Sequence, residues 1–122
     1  MMAPGKGILA ADESTGTIKK RLDTINVEST EETRRQYREI LFTTKNIEEY
    51  ISGVIMFDET FRQSTTSEEK INFPNYLSSK GILPGIKVDL GAKDLAGFDK
   101  PDKFDNRNLD KQLKNLIFYQ VW

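Results

Sequence analysis

The residues of this sequence that could do chemistry collect where its apolar runs end. Gly7-Ile8-Leu9-Ala10-Ala11 leads into Asp12, the run from Ile51 to Phe57 into Asp58 and Glu59, and the run from Ile82 to Ile86 into Lys87 and Asp89. If these runs are parallel strands, their ionisable groups gather at the carboxyl ends, where parallel sheets carry their sites. A charge at a strand end also merely marks the exit to solvent, and for any single strand that is the commoner reason. A second cluster follows the first run. Ser14 and Thr17 lie at a helix start whose first amides have no partner within the helix, and Lys20 and Arg21 come one turn later. Hydroxyls, open amides and a guanidinium capable of a bidentate contact suit a phosphate. The same spacing serves plain capping with a solvated basic face, and on spacing alone that arrangement is the more frequent.

Absent residue types narrow the chemistry further. There are no cysteines and no histidines. Disulfides, thiol nucleophiles, Ser-His-Asp triads and typical zinc sites are excluded, and proton transfer falls to Asp, Glu, Lys or Tyr. A carboxylate-only magnesium or calcium site is left open by composition but not suggested, since no EF-hand loop is present, and no metal is expected.

The elements that must position these groups show as alternating apolar runs and amphipathic stretches. Residues 7–12 and 51–57 read as fully buried strands, and residues 82–89 as a third. Ile18, Leu22 and Ile25 recur at helical spacing over residues 15–24. Ser29 and Glu32 fit a capping box ahead of a helix over 31–44, with Tyr37, Ile40 and Leu41 as its apolar stripe and Arg34, Arg35, Arg38 and Glu39 on its other face. Residues 62–72 read as an exposed loop or weak helix, and a short helix over 73–80 opens at Phe73-Pro74 and closes at Gly81. From Phe98 the chain turns polar and turn-rich, and Leu109, Leu113, Leu116 and Ile117 suggest one more amphipathic helix. The alternation predicts an α/β fold with parallel strands joined by right-handed crossovers.

Composition sets the outer bounds. The chain has 122 residues, a net charge of −1 and 30% charged residues of interspersed sign. Its pI is about 5.5 and its mean hydropathy is −0.56. Nothing here attracts nucleic acid or an anionic membrane. The apolar runs fall far short of the ~20 residues that a spanning helix needs, and no secretory signal opens the chain.

Several blocks resemble class I fructose-1,6-bisphosphate aldolases. Ala3-Pro4-Gly5-Lys6-Gly7-Ile8-Leu9-Ala10-Ala11-Asp12-Glu13-Ser14-Thr15-Gly16 is similar to that family's opening signature. Ile18-Lys19-Lys20-Arg21-Leu22, Glu31-Glu32-Thr33-Arg34-Arg35-Gln36-Tyr37-Arg38, Gly53-Val54-Ile55-Met56-Phe57-Asp58-Glu59-Thr60 and Gly85-Ile86-Lys87-Val88-Asp89 continue it in the family's order. The blocks cover roughly residues 3–97. The organisation expected from them is residues 1–97 as the first part of a (β/α)8 TIM barrel, three parallel strands with their helices, and residues 98–122 as a divergent tail.

The resemblance implies a glycolytic, cytoplasmic enzyme that forms homotetramers, needs no cofactor, and cleaves fructose 1,6-bisphosphate reversibly to dihydroxyacetone phosphate and glyceraldehyde 3-phosphate. It implies that Asp12 contacts the sugar and supports proton handling. Ser14 and Thr17 match hydroxyls at the sugar phosphate, Lys20 and Arg21 a basic pair at the mouth of the site, and Lys87 a lysine near the distal phosphate. It gives Asp58 and Glu59 no role. Thr17 stands where the family often has serine, and Leu90 where it usually has lysine. The family's Schiff-base lysine, acid–base glutamates and second phosphate site lie on later strands, outside the matched blocks. The expectation is therefore that this chain alone is inactive. The alternative is a non-catalytic piece that binds sugar phosphate or associates with aldolase subunits.

Overall fold

The computed structural model describes residues 3–88. The chain divides after Lys87, and the description concerns the first unit. Its elements run β1 (Gly7–Ala11), α1 (Thr15–Asp23), α2 (Glu31–Phe42), α3 (Ile47–Tyr50), β2 (Ile51–Met56), α4 (Asp58–Phe61), α5 (Phe73–Ser79) and β3 (Leu83–Ile86). The strands form one sheet in the order β1-β2-β3, with both pairings parallel. Ala11 lies opposite Met56 and Met56 opposite Ile86, so the three strands end level with one another. The expected strands and the helices over 15–24, 31–44 and 73–80 are all present, within a few residues at their ends. The single-turn helices α3 and α4 are additions that no periodicity announced. The end of the third strand at Asp89, the boundary after residue 97 and the helix around Leu109–Ile117 lie outside the described residues.

The core is built on one face of β2. Val54 and Met56 pack with Ala11, Phe42, Ile47, Phe73, Leu77 and Ile82, and Phe42 meets Phe73 edge to face at 5.2 Å. Full burial of a side chain of this kind stabilises by roughly 1.5–3 kcal/mol. β1 departs from its expected full burial: Gly7, Ile8 and Ala10 are exposed and only Ala11 is buried. A strand is covered on both faces only between two layers, whereas β1 is an edge strand in the described sheet. Pro84 is accommodated in β3, which is also an edge strand among the described residues.

The second helix differs most from its expected pattern. Its buried residues are Arg38 and Phe42, while Ile40 is 70% exposed. The face expected to be solvated is turned inward because Arg34 and Arg38 find acids outside the helix, Glu59 and Glu13, while Arg35 pairs with Glu32 and Glu39 of its own helix and reaches the Ser64 carbonyl and Thr66 hydroxyl. The capping box is also shifted by one residue. Thr30, not Ser29, is the N-cap; its hydroxyl accepts from the Thr33 amide, and the Thr33 hydroxyl accepts from the Thr30 amide. A threonine hydroxyl both accepts and donates, so Thr33 fills the place reserved for Glu32, leaving that carboxylate to Arg35. In α1, Ile18 and Leu22 are buried as expected, but Ile25 falls beyond the helix end and is exposed.

Residues 62–72 are neither an exposed loop nor a helix throughout. Gln63 and Thr65 are buried, the Thr65 amide donates to Ile71 O at 2.9 Å, and Ser64 bridges Asn72 in antiparallel fashion. Polar composition hid this because the buried side chains find local partners: Gln63 Nε2 donates to Glu31 O at 3.4 Å, and the Thr65 and Ser67 hydroxyls meet at 2.8 Å. The helix that follows behaves as expected. Asn72 caps α5 through its side chain, and Gly81 at φ +73 closes it, with the amides of Gly81 and Ile82 donating to Ser78 O and Leu77 O. That double bond is the Schellman arrangement, and buried Ile82 anchors it. Among the described residues no helix is long and apolar enough to cross a membrane.

Candidate functional site

Level strand ends bring the ends of β1 and β3 to the same edge of the sheet, on either side of β2. Asp12 follows β1 directly. Lys87 follows β3, its amide still donating to Met56 O at 2.8 Å. Lys87 Nζ and Asp12 Oδ2 meet at 3.3 Å, each side chain about one quarter exposed. Two groups some 75 residues apart in the chain therefore converge at the carboxyl edge of the sheet. The pair offers a carboxylate that accepts from hydroxyls and an ammonium suited to an anion, both reachable from solvent.

Two residues after Asp12, Ser14 is the N-cap of α1, but its hydroxyl makes no capping bond; it lies 3.2 Å from the Thr17 hydroxyl. Both residues are exposed, as is Lys20. The plain capping alternative thus loses its basis for Ser14, whose backbone carbonyl, not its hydroxyl, engages the first turn. Arg21 sits one helical turn beyond Thr17 and is held by Glu13, and its Nη1 also donates to the Tyr37 hydroxyl at 2.9 Å. The acids that follow β2 are occupied structurally. Asp58 pairs with Arg62 at 2.9 Å, and Glu59 receives a bidentate contact from Arg34 at 2.8 and 2.7 Å. Among the described residues, no group of three acids comes together that could hold a metal ion.

Glu13 and Arg38 are the residues that sequence reasoning passed over. Arg38 is 2% exposed. It donates to the Glu13 carboxylate at 2.5 Å and to the Glu13 carbonyl at 2.8 Å. Glu13 thus lies between a buried guanidinium and the exposed Arg21, one residue from Asp12. The signal was the arginine spacing 34, 35, 38 on one helix face, which hydropathy assigns to water. In fact each points at a different element: Arg34 to α4, Arg35 to residues 64–66, and Arg38 to the end of β1.

These pairs fix the response to acid. Burial pushes the Glu13 carboxyl up, but its own backbone amide and the Arg38 and Arg21 guanidinia hold it below the usual 4.5. Burial also raises Glu39, while Thr66 and Arg35 hold it below that value. Hydrogen bonds from Arg35 take Glu32 to about 2. A carboxyl whose folded value is depressed contributes stability above its unfolded value and loses it as pH falls through the folded one. The urea midpoint is therefore expected to hold steady above about pH 5 and to decline progressively between about pH 4.5 and 2. Glu39→Gln should flatten part of that decline, and a midpoint unchanged by acid would show that these carboxylates are not depressed.

The arrangement can be set beside known proteins. The family model for class I fructose-bisphosphate aldolase matches residues 1–119, further than the recognisable blocks extend. The probable fructose-bisphosphate aldolase class 1 of Xanthomonas campestris is 53% identical over 110 residues, 90% of this chain and 32% of that protein. Fructose-bisphosphate aldolase 2 of Caenorhabditis elegans is 61% identical over 93 residues, 76% of this chain and 25% of its own length. Among solved structures, the Plasmodium falciparum aldolase, in a ternary complex with TRAP and a small-molecule inhibitor, matches with a TM-score of 0.78 at 42% identity, over 97% of this chain and 33% of that one. The chain thus spans a quarter to a third of the length of these relatives. The three level parallel strands are the opening part of a barrel whose sheet is not closed among the described residues. A match of this extent, over a fold with these strand ends, shows that the chain belongs to the class I fructose-bisphosphate aldolase family.

Proposed function

We propose that residues 3–88 supply the first-strand aspartate and one phosphate corner of a fructose-bisphosphate aldolase site, and that aldol cleavage also requires the Schiff-base lysine and acid–base glutamates of later strands. Asp12 accepts from a sugar hydroxyl and assists proton handling. Lys87, Ser14 and Thr17 take one phosphate of fructose 1,6-bisphosphate, with Lys20 and Arg21 at the mouth. The protein so built works in the cytoplasm, as does a relative in Cicer arietinum that is named a cytoplasmic isozyme. The observation supporting this reading is the 3.3 Å Asp12–Lys87 pair beyond two level strand ends. An ammonium already balanced by a carboxylate is stable without ligand and can exchange that partner for phosphate. Titrating fructose 1,6-bisphosphate into the chain, with amide NMR as readout, tests it. Lys87→Ala should weaken binding about tenfold, the loss of one charge-assisted contact. Equal affinity in both proteins would remove Lys87 from the site.

A second reading, association with other aldolase chains without catalysis, draws on the exposure of Ile40 (70%) and Leu83 (51%). Co-purification with full-length aldolase, lost on Leu83→Asp, is its measurement.

A further inference from the structure

Arg21 is expected to meet phosphate, yet its guanidinium already holds an anion. The contact comes from Glu13 Oε1, while the other Glu13 oxygen receives Arg38. The two halves of this bridge are unequal. The Arg38 side chain is 3% exposed and the Arg21 side chain 50%. An ion pair in solvent is worth little and exchanges readily, whereas breaking a buried one strands a charge. The two oxygens have different partners, so Glu13 can release Arg21 and keep Arg38, leaving no buried charge unpaired. Arg21 on release keeps the Tyr37 hydroxyl at 2.9 Å, which holds the guanidinium near the same place.

We propose that Glu13 is an internal anion, fixed by Arg38, that occupies Arg21 until a phosphate displaces it and thereby sets the affinity of this corner for phosphate. The inference rests on the reading of Arg21 as a phosphate contact. It deepens that reading by assigning Glu13 as the residue that tunes the contact and Arg38 as a positioning residue acting through it. A purely structural clamp between α1 and α2 has the opposite consequence: cutting it loosens Arg21 and weakens binding.

Inorganic phosphate titrated into the full chain, followed by NMR, separates the two. Glu13→Gln is expected to bind phosphate about tenfold tighter than the wild type, since the competing charge is gone. Arg21→Ala should abolish binding in either background. Equal or weaker binding by Glu13→Gln overturns the proposal. If that binding is still lost on Arg21→Ala, the phosphate contact itself stands. Phosphate binding indifferent to Arg21→Ala, or no binding by wild type and Glu13→Gln alike, overturns both. Glu13→Gln also weakens a buried partner, so a second measurement uses the unaltered protein. In glutamate-13C-labelled chain, the Glu13 carboxyl resonance should shift on phosphate saturation while the Arg38 Nε–H resonance stays in place. A Glu13 resonance that does not respond at saturation overturns the proposal.

Discussion

Arg38→Ala is expected to cost about 3–5 kcal/mol, the penalty for removing one partner of a buried ion pair. A domain has about 5–15 kcal/mol in total, so residues 3–88 should lose most of their cooperative unfolding transition. The cause is specific. Arg38 is 2% exposed, and its guanidinium donates to the Glu13 carboxylate, the Glu13 carbonyl and the Thr60 hydroxyl, binding α2 to the end of β1 and to α4. Alanine leaves three acceptors short of a donor. Arg38→Lys should recover only part of the loss, because one ammonium cannot reproduce the planar fork. Lys19→Ala is the control: its i,i+4 partner Asp23 and Lys19 itself are both more than half exposed, and the midpoint should not move. Urea unfolding followed by circular dichroism measures all three. An Arg38→Ala midpoint equal to that of the wild type would show that the buried pair is not what joins these elements.

The second large effect is on activity. The 122-residue chain on its own is expected to release no triose phosphate from fructose 1,6-bisphosphate, and borohydride added with substrate should leave its mass unchanged. Iminium formation needs an amine with a lone pair. Among the described residues the lysine at a strand end is Lys87, and it stands against Asp12 as an ammonium–carboxylate pair at 3.3 Å. A positioned acid–base pair and anchors for both phosphates are needed as well. Groups that act as a unit do not contribute in proportion when most are missing. Triose release together with a reduced adduct on any lysine would show that these residues contain a complete reaction centre.

What could be read in advance divides along a physical line. The three strands were legible because a short apolar run bounded by Gly, Pro or charge has few other uses. The convergence of Asp12 and Lys87 followed from parallel strands ending level, a matter of topology. The face of α2 was misread because burial of an arginine depends on a carboxylate elsewhere in the fold. Glu13 and Glu59 lie 25 residues from their arginines in opposite directions along the chain, beyond the reach of any helical period. For the same reason Glu13 escaped notice as part of the site, although it adjoins Asp12. The capping box slipped by one residue because Ser29-Thr30 and Glu32-Thr33 offer two equivalent pairs, and hydroxyl geometry alone decides between them. Cover over β1 is equally invisible to pattern, since an apolar run does not specify how many layers will face it.

The order β1-β2-β3 has a consequence for how the molecule is made. Every strand pairing described joins consecutive strands, so none waits beyond the next strand for its partner. On a ribosome the chain emerges amino end first, at roughly 5–20 residues per second. The β1–β2 ladder can close as soon as Met56 is clear, and β3 then adds to a surface already in place. Asp12 must wait for Lys87, and at that rate the interval between them is several seconds. Once the β1–β2 ladder has closed, and until Lys87 arrives, the first carboxylate of the site stands at the end of a two-stranded sheet without the ammonium it meets in the folded chain.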